Sequence, residues 1–85
     1  MPRTFHVVCD LKVGRYLRTK VGPADRRCLE QTFRDIEAGT ARMRQVGNEP
    51  GLFRVIDCNH QLFLSVRAGS RLIEVLDIVP LRPLP

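Results

Sequence analysis

The side chains of this sequence that are best suited to chemistry are its cations. Fourteen Lys and Arg outnumber nine Asp and Glu among 85 residues, and the formal net charge is +5. Arg15, Arg18 and Lys20 lie at helical spacing and could follow a phosphate backbone, although a solvated helix face has the same pattern. Arg67 and Arg71 flank an Ala-Gly-Ser break, where a basic hairpin tip can enter a groove or protect a sheet edge from aggregation. Both groups favour an anionic partner without excluding a purely solvated surface.

The positive charge is concentrated in the first half of the sequence. Residues 1–45 hold ten Lys and Arg, Lys12 among them, and five acidic residues, whereas residues 46–85 hold four of each sign. A one-sided basic surface is typical of proteins that bind nucleic acid, the ribosome or an acidic protein. The chain has four Phe, one Tyr and no Trp, which argues against an RNA-binding sheet that stacks bases on exposed aromatic rings.

Few other side chains offer acid–base or metal chemistry. His60 falls between two predicted strands and could exchange a proton near neutral pH, although a histidine in a turn is more often solvated. The sequence has an odd number of cysteines: Cys9, Cys28 and Cys58. Each lies in an apolar run, and no two of them form a CxxC motif. We therefore expect reduced core cysteines of a cytosolic protein, without a disulfide, a metal or a cofactor.

The apolar periodicity predicts an α+β domain over residues 1–79. Its predicted elements are a strand at Thr4–Cys9, a helix from Asp10 to about Val21, a helix at Ala24–Ala38, and strands at Leu52–Cys58, Gln61–Arg67 and Leu72–Val79. The gaps between the last three strands are too short for a parallel crossover, so these strands form an antiparallel meander. The nearly continuous apolar character of the last strand predicts a central position in the sheet.

The remaining segments are predicted to be irregular. Residues 40–50 are expected to form a loop, and the Pro-rich residues 80–85 an extended tail. The two helices must cover one face of the sheet, which leaves the other face open and makes it the place to look for function. Phe53 and Phe63 on facing strands are expected to form a cross-strand core pair. No apolar run suggests a secretory signal or a membrane span.

The order of one strand, two helices and a three-stranded meander resembles the RelE/ParE superfamily, the bacterial toxins of type II toxin–antitoxin systems. The segments that carry the resemblance are Leu11-Lys12, Tyr16-Leu17-Arg18, Arg27–Ile36, Met43-Arg44, Gly51-Leu52-Phe53-Arg54-Val55, Gln61-Leu62-Phe63-Leu64 and Ile73-Glu74-Val75-Leu76-Asp77-Ile78. They extend the resemblance from Phe5 to about Arg82, nearly the whole chain.

The resemblance implies a toxin that inhibits translation by ribosome-dependent cleavage of messenger RNA, without a metal. Attack of a 2′-hydroxyl requires cations that stabilise the pentacovalent phosphate and a group that exchanges protons. By analogy with the family, Arg54 and Arg82 would stabilise the phosphate charge. Gln61 stands where the ribonucleases favour a catalytic Arg, so Gln61 or His60 would have to position or exchange the proton.

The resemblance also implies partners and leaves alternatives. A cognate antitoxin with an acidic segment would neutralise the toxin, and the ribosome with its messenger RNA, or another nucleic-acid machine, would be the target. The Gln at position 61 favours an alternative of a different class. This alternative is a non-catalytic inhibitor of the same fold, either of the gyrase type or a phage or mobile-element protein that blocks a host complex. A basic structural subunit of a larger assembly is the third possibility.

Overall fold

The computed structural model, which describes residues 4–67 and 69–81, has two helices packed on one face of a five-stranded sheet. Its elements are β1 His6–Cys9, α1 Leu11–Thr19, α2 Pro23–Ala38, β2 Arg44–Gln45, β3 Leu52–Asp57, β4 His60–Arg67 and β5 Leu72–Pro80. The strand order is β1-β5-β4-β3-β2, with β1 parallel to β5 and the other neighbours antiparallel. The predicted α+β class, the helices and the antiparallel meander are confirmed.

The ends of the helices follow from local sequence chemistry. The Asp10 carboxylate accepts a hydrogen bond from the Lys12 backbone N–H at 3.0 Å, which caps the start of α1. Pro23 is the first residue of α2, a position whose backbone N–H has no partner within the helix, so the missing N–H of proline costs no hydrogen bond. Gly39 ends α2 with φ of 77°, a left-handed conformation that glycine adopts at little cost. Among the described residues, no helix is long and apolar enough to cross a bilayer.

The hydrophobic core lies between the helices and one face of the sheet. Its buried members are Val13, Val21, Leu29, Ile36, Val55, Leu62, Leu64, Ile73, Val75 and Ile78. Along β4 the buried residues alternate with half-buried ones, as expected for a strand covered on one side. We call the uncovered side the open face. Its described strand residues are His6, Val8, Arg44, Leu52, Arg54, Ile56, Gln61, Phe63, Ser65, Arg67, Leu72, Glu74, Asp77 and Val79.

Several details differ from the sequence-based expectation. The predicted loop over residues 40–50 contains the short strand β2, and Pro80, assigned to the tail, is the last residue of β5. The predicted Phe53–Phe63 core pair is wrong, because Phe53 is paired with Leu64 and Phe63 with Arg54. The two Phe side chains therefore lie on opposite faces. The reason is the two-residue turn at Cys58 and Asn59, which sets a register one residue away from the one assumed.

The expectation of three reduced core cysteines is also wrong. Cys28 and Cys58 form a disulfide that joins α2 to the β3–β4 turn, with their Cα atoms 5.8 Å apart. Cys9 is a free, exposed thiol at the end of β1. Cys28 is exposed although it precedes the buried Leu29, because adjacent helix residues point about 100° apart. Apolar neighbours in sequence therefore did not make Cys28 a core residue.

Loss of the Cys28–Cys58 bond should destabilise the fold. The bond joins residues 30 apart in sequence, so removing this restriction on the unfolded chain should lower the free energy of unfolding by about 3–4 kcal/mol. Urea denaturation of the oxidised protein and of Cys28→Ser measures the difference. Cys9→Ser is the matched control and should change stability by less than about 0.5 kcal/mol. Equal stability of Cys28→Ser and the oxidised protein would contradict this contribution.

Candidate functional site: an arginine groove on the open face

Three arginines meet at one edge of the open face. Arg44 on β2 lies directly opposite Arg54 on β3 in the strand register. Together with Arg42 and Ile56 they line a groove of about 240 Å³, which we call the arginine groove. Arg42 and Arg44 lie two residues apart, as do side chains that share one face of an extended segment. The short strand β2 therefore brings cations of the first half of the chain to the meander.

The arginine groove is electrostatically unsatisfied. Like charges directly opposite each other on neighbouring strands destabilise a sheet. Within residues 4–67 and 69–81, Lys12 and Asp77 form an ion pair at 3.8 Å. Neither Arg44 nor Arg54 has a carboxylate partner among these residues. An arrangement that costs stability and lacks internal neutralisation is suited to an anion that comes from outside the protein.

The arginine groove is continuous with a mixed polar and apolar surface. Arg54 Nη1 donates a long hydrogen bond of 3.4 Å to Gln61 Oε1 on β4. The half-buried ring of Phe63 lies opposite Arg54 in the register. Ile56 and Val79 flank Gln61 and are 53% and 39% exposed. The open face thus presents guanidinium groups beside exposed apolar side chains, a surface that suits a partner with both acidic and apolar groups.

The chemistry available at this surface is anion binding. A guanidinium group can bind a phosphate or carboxylate through two parallel hydrogen bonds. The amide of Gln61 can donate and accept hydrogen bonds but cannot exchange a proton near neutral pH. The described strands β2–β5 contain no Lys or Tyr, and their one histidine, His60, faces the helices. On these strands the open face therefore offers the carboxylates of Glu74 and Asp77, but no Lys, Tyr or His beside Arg54.

His60 lies on the covered side of the sheet. It is 5% exposed, and its ring nitrogens are within hydrogen-bond distance of the Cys58 carbonyl oxygen at 2.8 Å and the Tyr16 hydroxyl at 3.0 Å. Because the carbonyl can only accept, His60 Nδ1–H donates to it, and in the neutral imidazole Nε2 accepts from the Tyr16 O–H. The structure thus separates His60 from Arg54 and Gln61, although the resemblance had grouped all three. The expectation that His60 is a solvated turn residue is wrong, since His60 begins β4 and is buried.

The other predicted cations are scattered over the molecule. Arg15 and Arg18 are exposed on α1, and Lys20 lines a pocket of about 400 Å³ together with Tyr16, Asp25 and His60. Arg67 and Arg71 are exposed at the two ends of the β4–β5 connection. Arg82 lies outside the described residues. Lys12, at the start of α1, pairs with Asp77 of the open face. The predicted binding residues are therefore spread over α1, the open face and the β4–β5 connection and do not form a single patch: Lys12, Arg15, Arg18, Lys20, Arg67 and Arg71.

Sequence reasoning missed Arg42 and Arg44. Both fall in the segment that was predicted to be a loop, where a short strand without Val, Ile or Phe is hard to recognise. The signal that could have found them is the Arg-x-Arg spacing. Side chains two residues apart share a face in any extended segment, so the pair could have been placed beside the predicted first strand of the meander.

Arg44→Ala should make the protein more stable. The substitution removes a cation that faces Arg54, so the free energy of unfolding should rise by about 0.2–1 kcal/mol at low ionic strength. Urea denaturation in low and high salt measures this change. The gain should vanish near 1 M salt, where the Debye length is about 3 Å. A loss of stability in Arg44→Ala at low salt would contradict the repulsion between the two arginines.

The titration of Tyr16 should report its pocket. Burial, and then the negative charge of Asp25, raise the pKa of Tyr16 above its usual value near 10.0. Because Tyr16 is the sole tyrosine and Trp is absent, the ultraviolet absorbance of the phenolate follows this group alone. The folded state holds the proton more tightly, so stability should fall as pH rises from the unfolded pKa through the folded one. Asp25→Asn should lower the Tyr16 pKa, whereas the control Asp35→Asn should leave it unchanged. A titration midpoint of the wild-type protein at the free tyrosine value would contradict the raised pKa.

Two solved structures share the fold of this chain. A chain of the archaeal RelE–RelB complex from Pyrococcus horikoshii OT3 aligns with a TM-score of 0.71 and 19% sequence identity, over 95% of this chain and 99% of that chain. The isolated Escherichia coli RelE toxin aligns with a TM-score of 0.75 and 13% identity, over 94% and 87%. No protein-family model and no curated protein matches the sequence significantly. The chain therefore has the fold of RelE.

Proposed function

We propose that this chain is the toxin of a type II toxin–antitoxin system and inhibits translation by cleaving messenger RNA on the ribosome. The observation that carries the proposal is the Arg44–Arg54 pair, which places two unneutralised guanidinium groups side by side on the open face of a RelE fold. Repulsion between them is relieved when a phosphate lies between them. A bridging RNA phosphate is thus the ligand that this pair fits best.

In the proposed reaction a 2′-hydroxyl of the messenger RNA loses its proton and attacks the neighbouring phosphate. The bond from phosphorus to the 5′ oxygen of the next nucleotide breaks, which leaves a 2′,3′-cyclic phosphate, and the departing 5′ oxygen takes up a proton. Arg54, oriented by its contact with Gln61, and Arg44 stabilise the negative charge that develops on the phosphate oxygens. Phe63, opposite Arg54, offers an apolar surface against the adjacent base. Proton transfer falls to water or to a group of the ribosome, because the imidazole of His60 is held against Tyr16 on the other side of the sheet and the open-face carboxylate of Asp77 is ion-paired with Lys12. The roles proposed for Arg54 and Gln61 stay predictions, and the proton exchange expected of His60 is not part of this proposal.

The partner in this proposal is a cognate antitoxin. One of the structures with the same fold is a RelE–RelB complex, and we extend that mode of assembly to this chain. The arginine groove and the exposed Ile56 and Val79 beside it suit an antitoxin segment that alternates acidic and apolar residues. A short reading frame encoding an acidic protein next to this one would support the pairing.

A second candidate function is inhibition by binding alone. The observation that favours it is the lack of a Lys, Tyr or accessible His on β2–β5 beside Arg54. An inhibitor needs the cations of the arginine groove for affinity but requires no proton transfer. It would block gyrase or another host complex that offers a polyanionic surface.

Arg54→Ala should abolish cleavage if the toxin cuts RNA. In a purified translation reaction, primer extension on the messenger RNA detects new 5′ ends. Loss of one preorganised charge donor should reduce the rate of their appearance about 100-fold or more. Arg34→Ala is the matched control, because Arg34 is an exposed arginine of α2 that contacts Gln31, and it should leave the rate unchanged.

The same reaction separates the two candidate functions. Ends that need both ribosomes and Arg54 support the ribonuclease, whereas cleavage that persists in Arg54→Ala rules out the arginine groove as its site. Inhibition without new ends supports the binding protein. In that case Gln61→Arg, which adds a cation where the related ribonucleases carry one, should restore cleavage only if the site is a depleted ribonuclease site.

A further inference from the structure

A second cluster of reactive side chains lies on the covered side of the sheet, where α2 meets the β3–β4 turn. Ligand atoms of Cys28, Asp57 and Cys58 all lie within 4.8 Å of one another. Cys28 and Asp57 are exposed, and Cys58 is half-buried. The proposed function uses none of these three residues. Two sulfur atoms and a carboxylate at the surface form a donor set that could hold a metal ion when the sulfur atoms are thiolates.

The backbone conformation of the turn points to a role for the sulfur atom of Cys58. Cys58 and Asn59 both have positive φ, 55° and 63°, as in the two-residue hairpin turns that prefer Asn-Gly. A cysteine in the left-handed region is unfavourable, because its Cβ atom lies close to the backbone carbonyl. This unfavourable conformation places Cys58 Sγ within bonding distance of Cys28 Sγ. Strain of this kind points to a chemical role for the side chain.

The carboxylate of Asp57 is held in place beside the two sulfur atoms. Its Oδ1 accepts a hydrogen bond from the Cys58 backbone N–H at 3.0 Å, and its Oδ2 accepts one from the buried Thr32 hydroxyl at 2.8 Å. The same hydroxyl lies 3.4 Å from Cys58 Sγ. Each carboxylate oxygen keeps a second lone pair for another partner. Hydrogen bonds that orient a carboxylate in this way are typical of the surroundings of metal ligands.

We propose that, once the disulfide is reduced, Cys28, Cys58 and Asp57 bind one thiophilic divalent cation of the Zn²⁺ type. A dithiol reductant would convert the disulfide into two thiols and become a disulfide itself. Each thiol then releases its proton to solvent as its sulfur bonds to the cation. Thiolate donors favour Zn²⁺ over Mg²⁺ or Ca²⁺, which take oxygen ligands.

Solvent can reach the cluster, because Cys28 and Asp57 are exposed. Thr32 and Asp57 line a groove of about 290 Å³ that opens to solvent next to the cluster. Three protein ligands and one water make the four-coordinate arrangement that Zn²⁺ adopts in open sites. The disulfide and the bound cation exclude each other, because both use the same two sulfur atoms. In either state α2 is tied to the β3–β4 turn, and reduction without a metal releases it.

The test is a Co²⁺ titration of the full chain, reduced by a phosphine under anaerobic conditions. One equivalent of Co²⁺ should give a thiolate-to-metal charge-transfer band and the visible bands of a four-coordinate ion. Zn²⁺ should displace Co²⁺, whereas excess Mg²⁺ should not. Zn²⁺ should also raise the melting temperature of the reduced protein, since a ligand of the native state stabilises it.

Variants and the oxidised protein define the ligands. Cys28→Ser should lose the charge-transfer band, and Asp57→Asn should weaken Co²⁺ binding by at least about tenfold. Cys9→Ser, the matched thiol control, should bind as the wild type does. The oxidised wild-type protein should not bind and needs no mutation, so it tests the site even if a variant folds poorly. The proposal would be overturned if the reduced protein gave no charge-transfer band, or if the band survived in Cys28→Ser or in the oxidised protein. Binding of Co²⁺ by Asp57→Asn at full affinity would overturn it as well.

Discussion

Burial of one face of β4 is the constraint on which the rest of the structure depends. Leu62 and Leu64 are fully buried against the helices, so every second residue of β4 must face away from them. The two-residue turn at Cys58 and Asn59 fixes which β3 residue lies opposite each β4 residue, so β3 alternates in step with β4. With one strand fixed by the core and the turn fixed in length, the face of each residue of β3 and β4 is determined. Arg54 and Gln61 share the open face for this reason, and His60 and Asp57 share the covered one.

Much of the fold was predictable because its elements are decided by short-range chemistry. The apolar stripe of α2, the Asp10 cap and the Gly39 stop need only neighbouring residues. Gap lengths were enough to predict the meander. The parallel pairing of β1 with β5 and the two-residue strand β2 depend on contacts far apart in sequence. Neither leaves a local pattern that periodicity can detect.

The candidate site was only partly predictable, because residue type does not report the face on which a side chain lies. Arg54 and Gln61 were grouped by analogy and are in contact. His60 was grouped with them but lies on the other side of the sheet, since a shift of one residue in the assumed turn reverses the face. The Cys28–Cys58 disulfide was missed because it joins a helix to a turn 30 residues away, and no cysteine spacing motif encodes that approach.

Two of the places where this chain breaks local rules are places where chemistry can be assigned to it. Arg44 facing Arg54 is unfavourable for a sheet, and a cysteine in the left-handed region is unfavourable for a turn. Both lie on the β3 hairpin, and the alternation of β3 sends Arg54 to one face and Asp57 to the other. A slip of β3 by one residue would exchange the faces and separate both groups. The arginine groove and the Cys28, Asp57 and Cys58 cluster therefore depend on one register, and the buried row of β4 holds that register in place.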